Sequence, residues 1–301
     1  MSVLVFGSIN LDLSVYAKEI PKPGQTILGS NLCVCPGGKG ANQAVALSNL
    51  KIPTKMFGCV GKDVFAEQSL FYLKKSKTDI SNVNKVAGNS GLALITINAR
   101  AENAITVASG ANAKVGIKEL AAFKSSLKAA KLVLMQLELN FEIIEKAVDA
   151  ANLANVPVIL DPAPVCNLSD EFLKKICVIT PNVSEAEFLT GIKITEVKHA
   201  EKAGKILLER GAKIAIIKCG EKGSVCVTPK RVIITPAIKV KAVDTVAAGD
   251  AFNAGFAAAQ YCGMNLEDSL EYATAVAALA VMQKGAQAAM PTLRALKSFL
   301  K

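Results

Sequence analysis

Short apolar runs alternate with helical segments along most of the chain. Residues 3–6 are all apolar and precede Gly7, which is typical of a buried strand. Similar runs predict further strands at 55–58, 132–137, 158–161, 177–180 and 214–218. Apolar positions at helical spacing predict helices at 41–50, 117–129, 142–153, 196–210, 250–262 and 266–283. Repeated strand-helix units predict a doubly wound α/β fold, a mostly parallel sheet flanked by helices on both faces.

Two segments interrupt this alternation. Residues 11–36 and 88–108 carry strand-like stretches without a helical period, at 13–16, 26–34, 91–97 and 103–107. We expect them to form one small antiparallel β sheet. Both segments leave the body at carboxyl ends of strands, where open parallel sheets bind ligands, so this sheet would cover the crevice as a lid. Since no linker or repeat divides the chain, residues 1–301 are predicted to form a single domain.

Composition supports an α/β enzyme. Hydrophobic residues make up 51% of the chain and charged residues 20%, which excludes a disordered protein. The formal net charge is +10, but the lysines are spread over helical segments without interleaved aromatics. This pattern predicts a solvated basic surface and no nucleic-acid partner. No basic leader opens the chain and no apolar run approaches the roughly 20 residues that span a bilayer, so we predict a soluble, cytoplasmic protein without a membrane partner.

The cysteine and histidine content excludes several kinds of site. The eight cysteines include no CxxC pair, and most lie in apolar runs, as buried free thiols of a reducing compartment do. Cys33 and Cys35 alternate along a predicted strand, and we expect their side chains to diverge. His199 is the only histidine, so neither a histidine-containing zinc site nor a Ser-His-Asp triad is expected.

The segment Asp244 to Asp250 is the sharpest chemical signal. Its small residues, including Ala247, Ala248 and Gly249, lead into a predicted helix. Unpaired amides and the helix dipole at such a start suit phosphate oxygens, so the segment could hold a transferring phosphoryl group. Asp250 is then either a catalytic carboxylate or only a first-turn acid that stabilises the helix dipole.

A second glycine cluster, residues 37–44, also opens a helix. It lacks the spacing of a Walker phosphate loop and does not follow a parallel strand, which disfavours a dinucleotide site. Glycines next to Lys39 and Asn42 suit close approach to a polyhydroxyl ligand, and a plain turn between lid and helix is the simpler alternative. Asn10 and Asp12 follow the first strand and offer an amide and a carboxylate for hydroxyl groups.

Five motifs together resemble the ribokinase family of carbohydrate kinases (PfkB-type). They are residues 7–12 (GSINLD), 37–44 (GGKGANQA), 134–138 (LMQLE), 180–187 (TPNVSEAE) and 244–250 (DTVAAGD). They occur in the family's order and span nearly the whole chain. The resemblance implies ATP-dependent phosphorylation of the 5-hydroxyl of D-ribose, giving D-ribose 5-phosphate and ADP, on an α/β body with a β lid.

The resemblance also implies roles for individual residues. Asp250 matches the catalytic base, and the backbone of Ala247, Ala248, Gly249 and Asp250 matches the anion hole. The sugar contacts map to Asn10, Asp12, Gly38, Lys39, Gly40, Ala41, Asn42, Glu138 and Asp250. The ATP contacts map to Asn182, Lys218, Cys219, Gly220, Glu221, Lys222, Gly223, Gly249, Asp250 and Thr274. Glu185 would hold Mg²⁺ through water, and the K⁺ ligands map to Asp244, Val246, Ala280, Gln283, Gly285 and Ala289.

Three residues depart from the family pattern. Ala251 replaces a usual Thr, Thr274 stands where a His often flanks adenine, and Ala289 stands where a Ser hydroxyl often completes the cation shell. We therefore expect the activity to depend less strongly on potassium. For residues 218–223 a surface turn is the simple alternative, and for Glu185 a helix-capping acid is.

Other functions fit the same motifs. The acceptor could be deoxyribose, another furanose sugar or a nucleoside, and a non-catalytic sugar-binding protein could share the fold. Family lids often pair in a homodimer, and the apolar alternation at 92–97 and 32–35 would suit one. A lid packed on its own body explains that alternation too.

Overall fold

A nine-stranded sheet forms the centre of the computed structural model, which describes residues 1–100 and 102–300. The strands of the molecule are β1 (Ser2–Phe6), β2 (Asn10–Ala17), β3 (Gly29–Gly37), β4 (Thr54–Gly61), β5 (Asp79–Val86), β6 (Gly91–Ile97), β7 (Asn103–Ala108), β8 (Ala130–Gln136), β9 (Val158–Asp161), β10 (Val178–Ile179), β11 (Ile214–Lys218), β12 (Ser224–Val227) and β13 (Val232–Thr235). The central order is β13-β12-β11-β10-β9-β8-β1-β4-β5. The strands from β11 to β5 are parallel, and the hairpin β12–β13 adds an antiparallel edge.

Helices cover both faces of this sheet, as the sequence predicted. They are α1 (Lys39–Asn49), α2 (Ala66–Ser69), α3 (Phe71–Lys75), α4 (Ile117–Ser126), α5 (Phe141–Leu153), α6 (Asp170–Leu173), α7 (Val183–Thr190), α8 (Val197–Glu209), α9 (Ala248–Cys262), α10 (Leu266–Val281) and α11 (Leu293–Phe299). Alternate residues of β1 face opposite ways: Leu4 and Phe6 pack with α4 to α8, whereas Val3 and Val5 pack with α1, α3 and α9 to α11. Each fully buried side chain of this size stabilises the fold by about 2 kcal/mol.

The chain reverses its direction across the sheet at β1. From β1 it proceeds to β4 and β5 on one side, then returns to β8 on the other side of β1. Ligands of open α/β sheets bind outside the carboxyl ends of the strands at such a point. Gly7 and Ser8 follow β1 there, and Glu138 follows β8.

A separate four-stranded sheet, which we call the lid sheet, has the order β3-β2-β6-β7. The predicted antiparallel pairing occurs between β2 and β3 and between β6 and β7, but the middle pair β2–β6 is parallel. The reason is topological: β2 follows β1 and β6 follows β5, and since β1 and β5 are parallel the chain enters the lid sheet in the same direction twice. That this sheet acts as a lid stays a prediction.

Some predicted boundaries differ from the structure. The strand expected at 26–34 begins only at Gly29 and continues to Gly37. Of residues 177–180 only Val178 and Ile179 are strand, although the flanking amides still bond the carbonyls of β9. Helix α9 begins two residues before 250, and α10 ends two residues before 283. Strands β5, β12 and β13 were missed. β5 is an edge strand that mixes polar and apolar residues, whereas β12 and β13 form a hairpin that lies outside the strand-helix alternation.

The expectation for the cysteine pair was wrong. Cys33 and Cys35 lie on β3 with their Sγ atoms 3.0 Å apart. Residues two apart on a strand point to the same face, so the side chains converge instead of diverging. All eight cysteines are free thiols: Cys59 and Cys226 are buried, Cys33 and Cys262 are exposed, and the others are partly buried. Over the described ranges 1–100 and 102–300, no helix combines the length and apolarity needed to cross a membrane.

Candidate active site

The amino end of α9 presents unpaired backbone donors. Ala247 precedes the helix in a left-handed conformation, with φ of 59° and ψ of 15°. Within the described part of the chain, the amides of Gly249 and Asp250 have no hydrogen-bond acceptor. Asp250 is the third residue of the helix and only 4% exposed. This turn therefore has the geometry that an anion hole requires, beside a buried carboxylate.

Two side-chain amides from α1 hold the Asp250 carboxylate. Asn42 Nδ2 donates to Oδ2 at 2.8 Å, and Gln43 Nε2 donates to Oδ1 at 3.0 Å. Gln43 also donates to Asp161 Oδ2 at 3.2 Å and accepts from Gln136 Nε2 at 2.6 Å. Sequence reasoning missed Gln43, Gln136 and Asp161 as site residues. Only their positions in the sequence could have identified them as site residues, because Gln43 lies in the second glycine motif and Asp161 ends a predicted strand.

Lys218 lies at the centre of the site rather than only in the predicted nucleotide loop. Its Nζ is 3.0 Å from Asp161 Oδ1, and the side chains are 12% and 2% exposed. A Cβ at Gly249 would come within 3.2 Å of the Lys218 ammonium, so this charge lies against the first turn of α9. This cation and the free amides of that turn both carry positive charge, and together they would attract an anion.

Burial and neighbouring charges both shift the pKa values of the ionisable groups in the site. Burial raises the pKa of Asp250 above its ordinary value, while the ammonium of Lys39 opposes the rise and the carboxylate of Asp161 adds to it. Burial lowers the pKa of Lys39, but the carboxylates of Asp250, Asp161 and Glu138 outweigh it, and the net pKa is above the ordinary range. Lys39 therefore remains a cation next to Asp250.

The predicted sugar residues gather next to Asp250. Burial raises the pKa of Asp12 to about 7, and the carboxylates of Glu138 and Asp250 add to the rise. Glu138 Oε2 accepts from Ser8 Oγ and, at 3.1 Å, from the backbone amide of Lys39. Asn10 Oδ1 accepts from Asn112 Nδ2 at 2.6 Å. Ser8 and Asn112 were not predicted.

Two glycines allow β2 and the start of α1 to meet. Gly38 has a φ of 85°, and a Cβ on it would lie 2.6 Å from the backbone nitrogen of Asn10. A Cβ on Gly37 would lie 2.3 Å from Asp12 Oδ2. The amides of Gly40 and Ala41 donate to Ser8 at 3.3 and 2.9 Å, so they join α1 to the segment that follows β1.

An unpaired acceptor and a separate cavity both lie near the start of α1. Asn42 Oδ1 is buried and has no hydrogen-bond partner among the described residues. A cavity of about 470 Å³ opens beside Lys39 and Glu138, with Val107 of the lid sheet and Phe141 on its walls. The other predicted sugar side chains, Asn10, Asp12, Asn42 and Asp250, do not line this cavity. A ligand hydroxyl is the natural partner for such an orphaned carbonyl oxygen.

A larger cavity lies on the other side of the α9 turn. Its volume is about 760 Å³, within the range of nucleotide-sized ligand pockets. Seven of the predicted ATP contacts line it: Lys218, Gly220, Glu221, Lys222, Gly223, Gly249 and Thr274. The other three, Asn182, Cys219 and Asp250, do not line it. Cys219 Sγ points back to the carbonyl of Ile217 at 3.6 Å. Thr274 Oγ1 donates to Leu270 O at 2.8 Å, which leaves only its acceptor capacity to a ligand.

Asn182 and Glu185 form a capping box at the start of α7. Asn182 N donates to Glu185 Oε2 at 2.8 Å, and Glu185 N donates to Asn182 Oδ1 at 2.9 Å. The helix-capping alternative for Glu185 is therefore present. Burial raises the pKa of Glu185, while the nearby Lys218 ammonium lowers it. In residues 1–100 and 102–300 no group of three or more acidic, histidine or cysteine side chains is placed to hold a metal ion.

The predicted potassium ligands belong to two adjoining segments. Asp244 Oδ1 accepts from Val246 N at 3.0 Å, and Oδ2 accepts from Gly285 N at 2.9 Å. Gln283 N donates to Ala280 O at 3.1 Å, and Ala289 lies buried in the short 3₁₀ turn Gln287–Ala289. A carboxylate and backbone carbonyls make an all-oxygen donor set, which suits a hard cation.

Comparison with known proteins agrees with this geometry. Residues 1–293 match the pfkB family carbohydrate kinase pattern. The chain is 35% identical over 301 residues to the ribokinase of Haemophilus influenzae, covering 100% of this chain and 98% of that protein. It is 33% identical over 302 residues to the deoxyribokinase of Salmonella typhi, covering 100% and 99%. The structure of Arabidopsis thaliana ribokinase complexed with ribose and ATP matches with a TM-score of 0.93 at 31% identity, covering 100% and 98%. With the family pattern matched from Met1 almost to the last helix and both relatives aligned end to end, the chain belongs to the pfkB family of carbohydrate kinases.

Proposed function

We propose that the protein transfers the γ-phosphoryl group of ATP to the 5-hydroxyl of D-ribose, giving D-ribose 5-phosphate and ADP. One observation carries the proposal: the first turn of α9 adjoins both ligand regions. Its Gly249 lines the larger cavity, and its Asp250 carboxylate is bonded to Asn42 and interacts with Asp12 and Lys39. A base at this junction lies between an ATP phosphate and a sugar hydroxyl.

Asp250 acts as the base of the transfer. It accepts the proton of the 5-hydroxyl as the oxygen-phosphorus bond forms and the bond from the γ-phosphorus to ADP breaks. The transition state is loose and needs the proton late, so a carboxylate fixed by Asn42 and Gln43 suffices. Its burial, which raises the pKa, makes it a stronger base than an exposed Asp.

Backbone donors and cations stabilise the transferring group. The unpaired amides of Gly249 and Asp250 bind its oxygens, and the ammonium groups of Lys39 and Lys218 offset its negative charge. Because these donors are already oriented in the free protein, little reorganisation is required during the reaction.

Hydroxyl recognition falls to the residues around β2 and the start of α1. Asn10, Asp12 and Glu138 accept from ring hydroxyls, and the orphaned Asn42 Oδ1 accepts one more. This set orients the sugar so that its 5-hydroxyl points at Asp250.

Two cations complete the proposed site. Glu185 holds Mg²⁺ through water, and Mg²⁺ supplies charge neutralisation for the ATP phosphates. Asp244, the carbonyls of Val246, Ala280, Gln283 and Gly285, and the turn at Ala289 would hold K⁺. These residues border the anion hole, so a bound K⁺ would help to order it without touching the substrate.

We further propose that the lid sheet covers the sugar and that two copies pair through its outer face. Leu32 and Leu94 on that face are 65% and 51% exposed, which supports an apolar interface. The eight free thiols support a reducing, cytoplasmic location.

A coupled ADP-release assay tests the function. Ribose, deoxyribose and inosine are compared at equal concentrations, with and without K⁺. Faster release with ribose supports the proposal, whereas faster release with deoxyribose, which the deoxyribokinase relative makes the second candidate, or with inosine overturns the choice of acceptor. Ribose binding without any ADP release would instead identify a non-catalytic sugar-binding protein.

A further inference from the structure

A pair of thiols lies in the lid sheet, on the face that carries the sugar residues. Cys35 is directly opposite Asp12 in the pairing of β2 with β3, and Cys33 is opposite Ser14. Residues opposite each other on neighbouring strands share a face of the sheet. The two sulfurs are 3.0 Å apart, and Cys33 is exposed. The kinase chemistry described above uses neither thiol.

The backbone allows the two sulfurs to be joined. A rise of about 3.4 Å per residue separates the Cα atoms of alternate strand residues by about 6.8 Å. Disulfides span Cα separations of about 4.4 to 6.8 Å, so a Cys33–Cys35 bridge is possible but lies at the long end of that range. β3 is an edge strand with β2 as its only neighbour in the lid sheet, so it can shorten locally without breaking a second ladder. A disulfide that needs such a backbone adjustment is strained, and strained disulfides are reduced more easily than unstrained ones.

The two thiols differ in reactivity. Cys33 is exposed, so an oxidant in solution reaches its sulfur first. Burial raises the pKa of Cys35 to about 12, and the contact with Cys33 and the carboxylate of Asp12 add to the rise. Cys35 is therefore a poor first nucleophile, but once Cys33 is modified its attack becomes intramolecular.

We propose that Cys33 and Cys35 are a modification site, a dithiol that low-molecular-weight disulfides convert reversibly into an intrastrand bridge which weakens sugar binding. The Cys33 thiolate attacks the small disulfide, forms a mixed disulfide and releases one thiol. Cys35 then loses its proton and attacks the Cys33 sulfur, which releases the second thiol. In total, two cysteine thiols and one small disulfide give one protein disulfide and two small thiols.

The bridge acts on the sugar site through β3. Shortening the strand between positions 33 and 35 moves Cys35, which is opposite Asp12, and the following Gly37, whose Cα hydrogens face the Asp12 oxygens. Asp12 then no longer meets its ligand hydroxyl in the favourable geometry. This consequence rests on the proposed ribose function, whereas formation of the bridge does not.

The test uses the full-length protein, reduced and then exposed to glutathione disulfide. After alkylation of the remaining thiols, mass spectrometry is expected to show the peptide with Cys33 and Cys35 lacking two hydrogens and no alkyl group. Ribose affinity, measured by calorimetry, is expected to fall about five- to tenfold, the loss of roughly one hydrogen bond. A dithiol reductant should restore both readouts.

Two variants make the result specific. Cys33→Ser cannot form the bridge and should keep its ribose affinity under oxidant, while Cys262→Ser, which removes an exposed thiol elsewhere, should behave like the wild type. The idea is overturned if both thiols stay alkylatable, or if Cys33→Ser loses ribose affinity as the wild type does. Mass spectrometry detects the bridge without any turnover. If the oxidised protein forms the bridge but the reduced protein does not phosphorylate ribose, only the proposed function is refuted.

Discussion

The side-chain amide of Gln43 donates a 3.0 Å hydrogen bond to Oδ1 of Asp250, a residue 207 positions further along the chain. The same amide nitrogen reaches Asp161, which is paired with Lys218. Gln43 thus links the proposed base to the cation next to the anion hole. None of these contacts lies within one motif, so the site works as a network rather than as separate motifs.

Replacing Asp250 by Asn should separate catalysis from binding. The amide keeps the shape but cannot accept a proton, so we expect kcat to fall by about 10² to 10⁴, the usual contribution of a general base. Ribose affinity, measured by calorimetry, should be nearly unchanged.

Asp268→Asn is the matched control, because Asp268 is the third residue of α10 as Asp250 is of α9. If both variants lose activity equally, Asp250 is only a helix-stabilising acid and the base assignment is wrong.

Gln43→Leu should shift the pH profile of the enzyme. The hydrogen bond from Gln43 lowers the pKa of Asp250, so its loss raises that pKa further. Since the ionised carboxylate is the active form, the acid limb of kcat/KM should move to higher pH.

Gln260 lies in α9, as Asp250 does, but away from the site. Gln260→Leu removes an amide donor to Ser269 of α10 and should leave the pH profile unchanged. An unshifted acid limb in the Gln43 variant would show that Gln43 does not tune the base.

Asp12 should make ribose binding pH-dependent. Burial, with the carboxylates of Glu138 and Asp250, raises its pKa to about 7, so the side chain is protonated below that pH and ionised above it. Hydrogen bonds to an ionised carboxylate are roughly twice as strong as neutral ones. The KM for ribose is therefore expected to fall as the pH rises from 6 to 8, because Asp12 loses its proton over this range.

Asp12→Asn should bind ribose more weakly and show a flat KM over the same range. A wild-type KM that stays constant from pH 6 to 8 would contradict the assignment of Asp12 to the sugar.

Lys218→Met should lower both the affinity for ATP and the stability of the folded protein. The variant leaves the buried Asp161 carboxylate without its ion pair, a loss of about 3 to 5 kcal/mol, so we expect a lower Tm and a smaller free energy of unfolding. The KM for ATP should rise because a cation next to Gly249 is missing.

Lys193→Met provides the comparison, since that exposed lysine pairs with Glu187 at the surface and should change neither quantity. An unchanged KM for ATP in the Lys218 variant would leave Lys218 a purely structural residue.

Ala289→Ser should strengthen the response to potassium. A hydroxyl added at this buried position provides the oxygen that Ala289 lacks, so half-maximal activation should occur at lower K⁺ than in the wild type. Ala288→Ser, the exposed neighbour in the same turn, should leave activation unchanged. The expected soft dependence is itself wrong if potassium-free wild-type protein is inert and micromolar K⁺ restores its full rate.

The main elements follow from short-range patterns. The run before Gly7 predicted β1, and the helical spacing after Gly40 and Asp250 predicted α1 and α9 to within two residues at their starts. The small residues before Asp250 also indicated where free amides would lie. The pattern could not predict the parallel pairing of β2 with β6, since that depends on the direction of β1 and β5 in the sheet.

The sequence by itself determined the order of the six long helices and of most strands of the central sheet, the glycine and alanine turns, and the family motifs with Asp250 and Asp12. These depend on residues within a few positions of one another. The packing of α1 against α9 decided that Gln43 and Asn42 hold Asp250, and the meeting of β9 with β11 through β10 decided that Lys218 pairs with Asp161. Such contacts join side chains that are far apart along the chain, and their strength comes from burial, which exists only once the sheet and its helices have assembled.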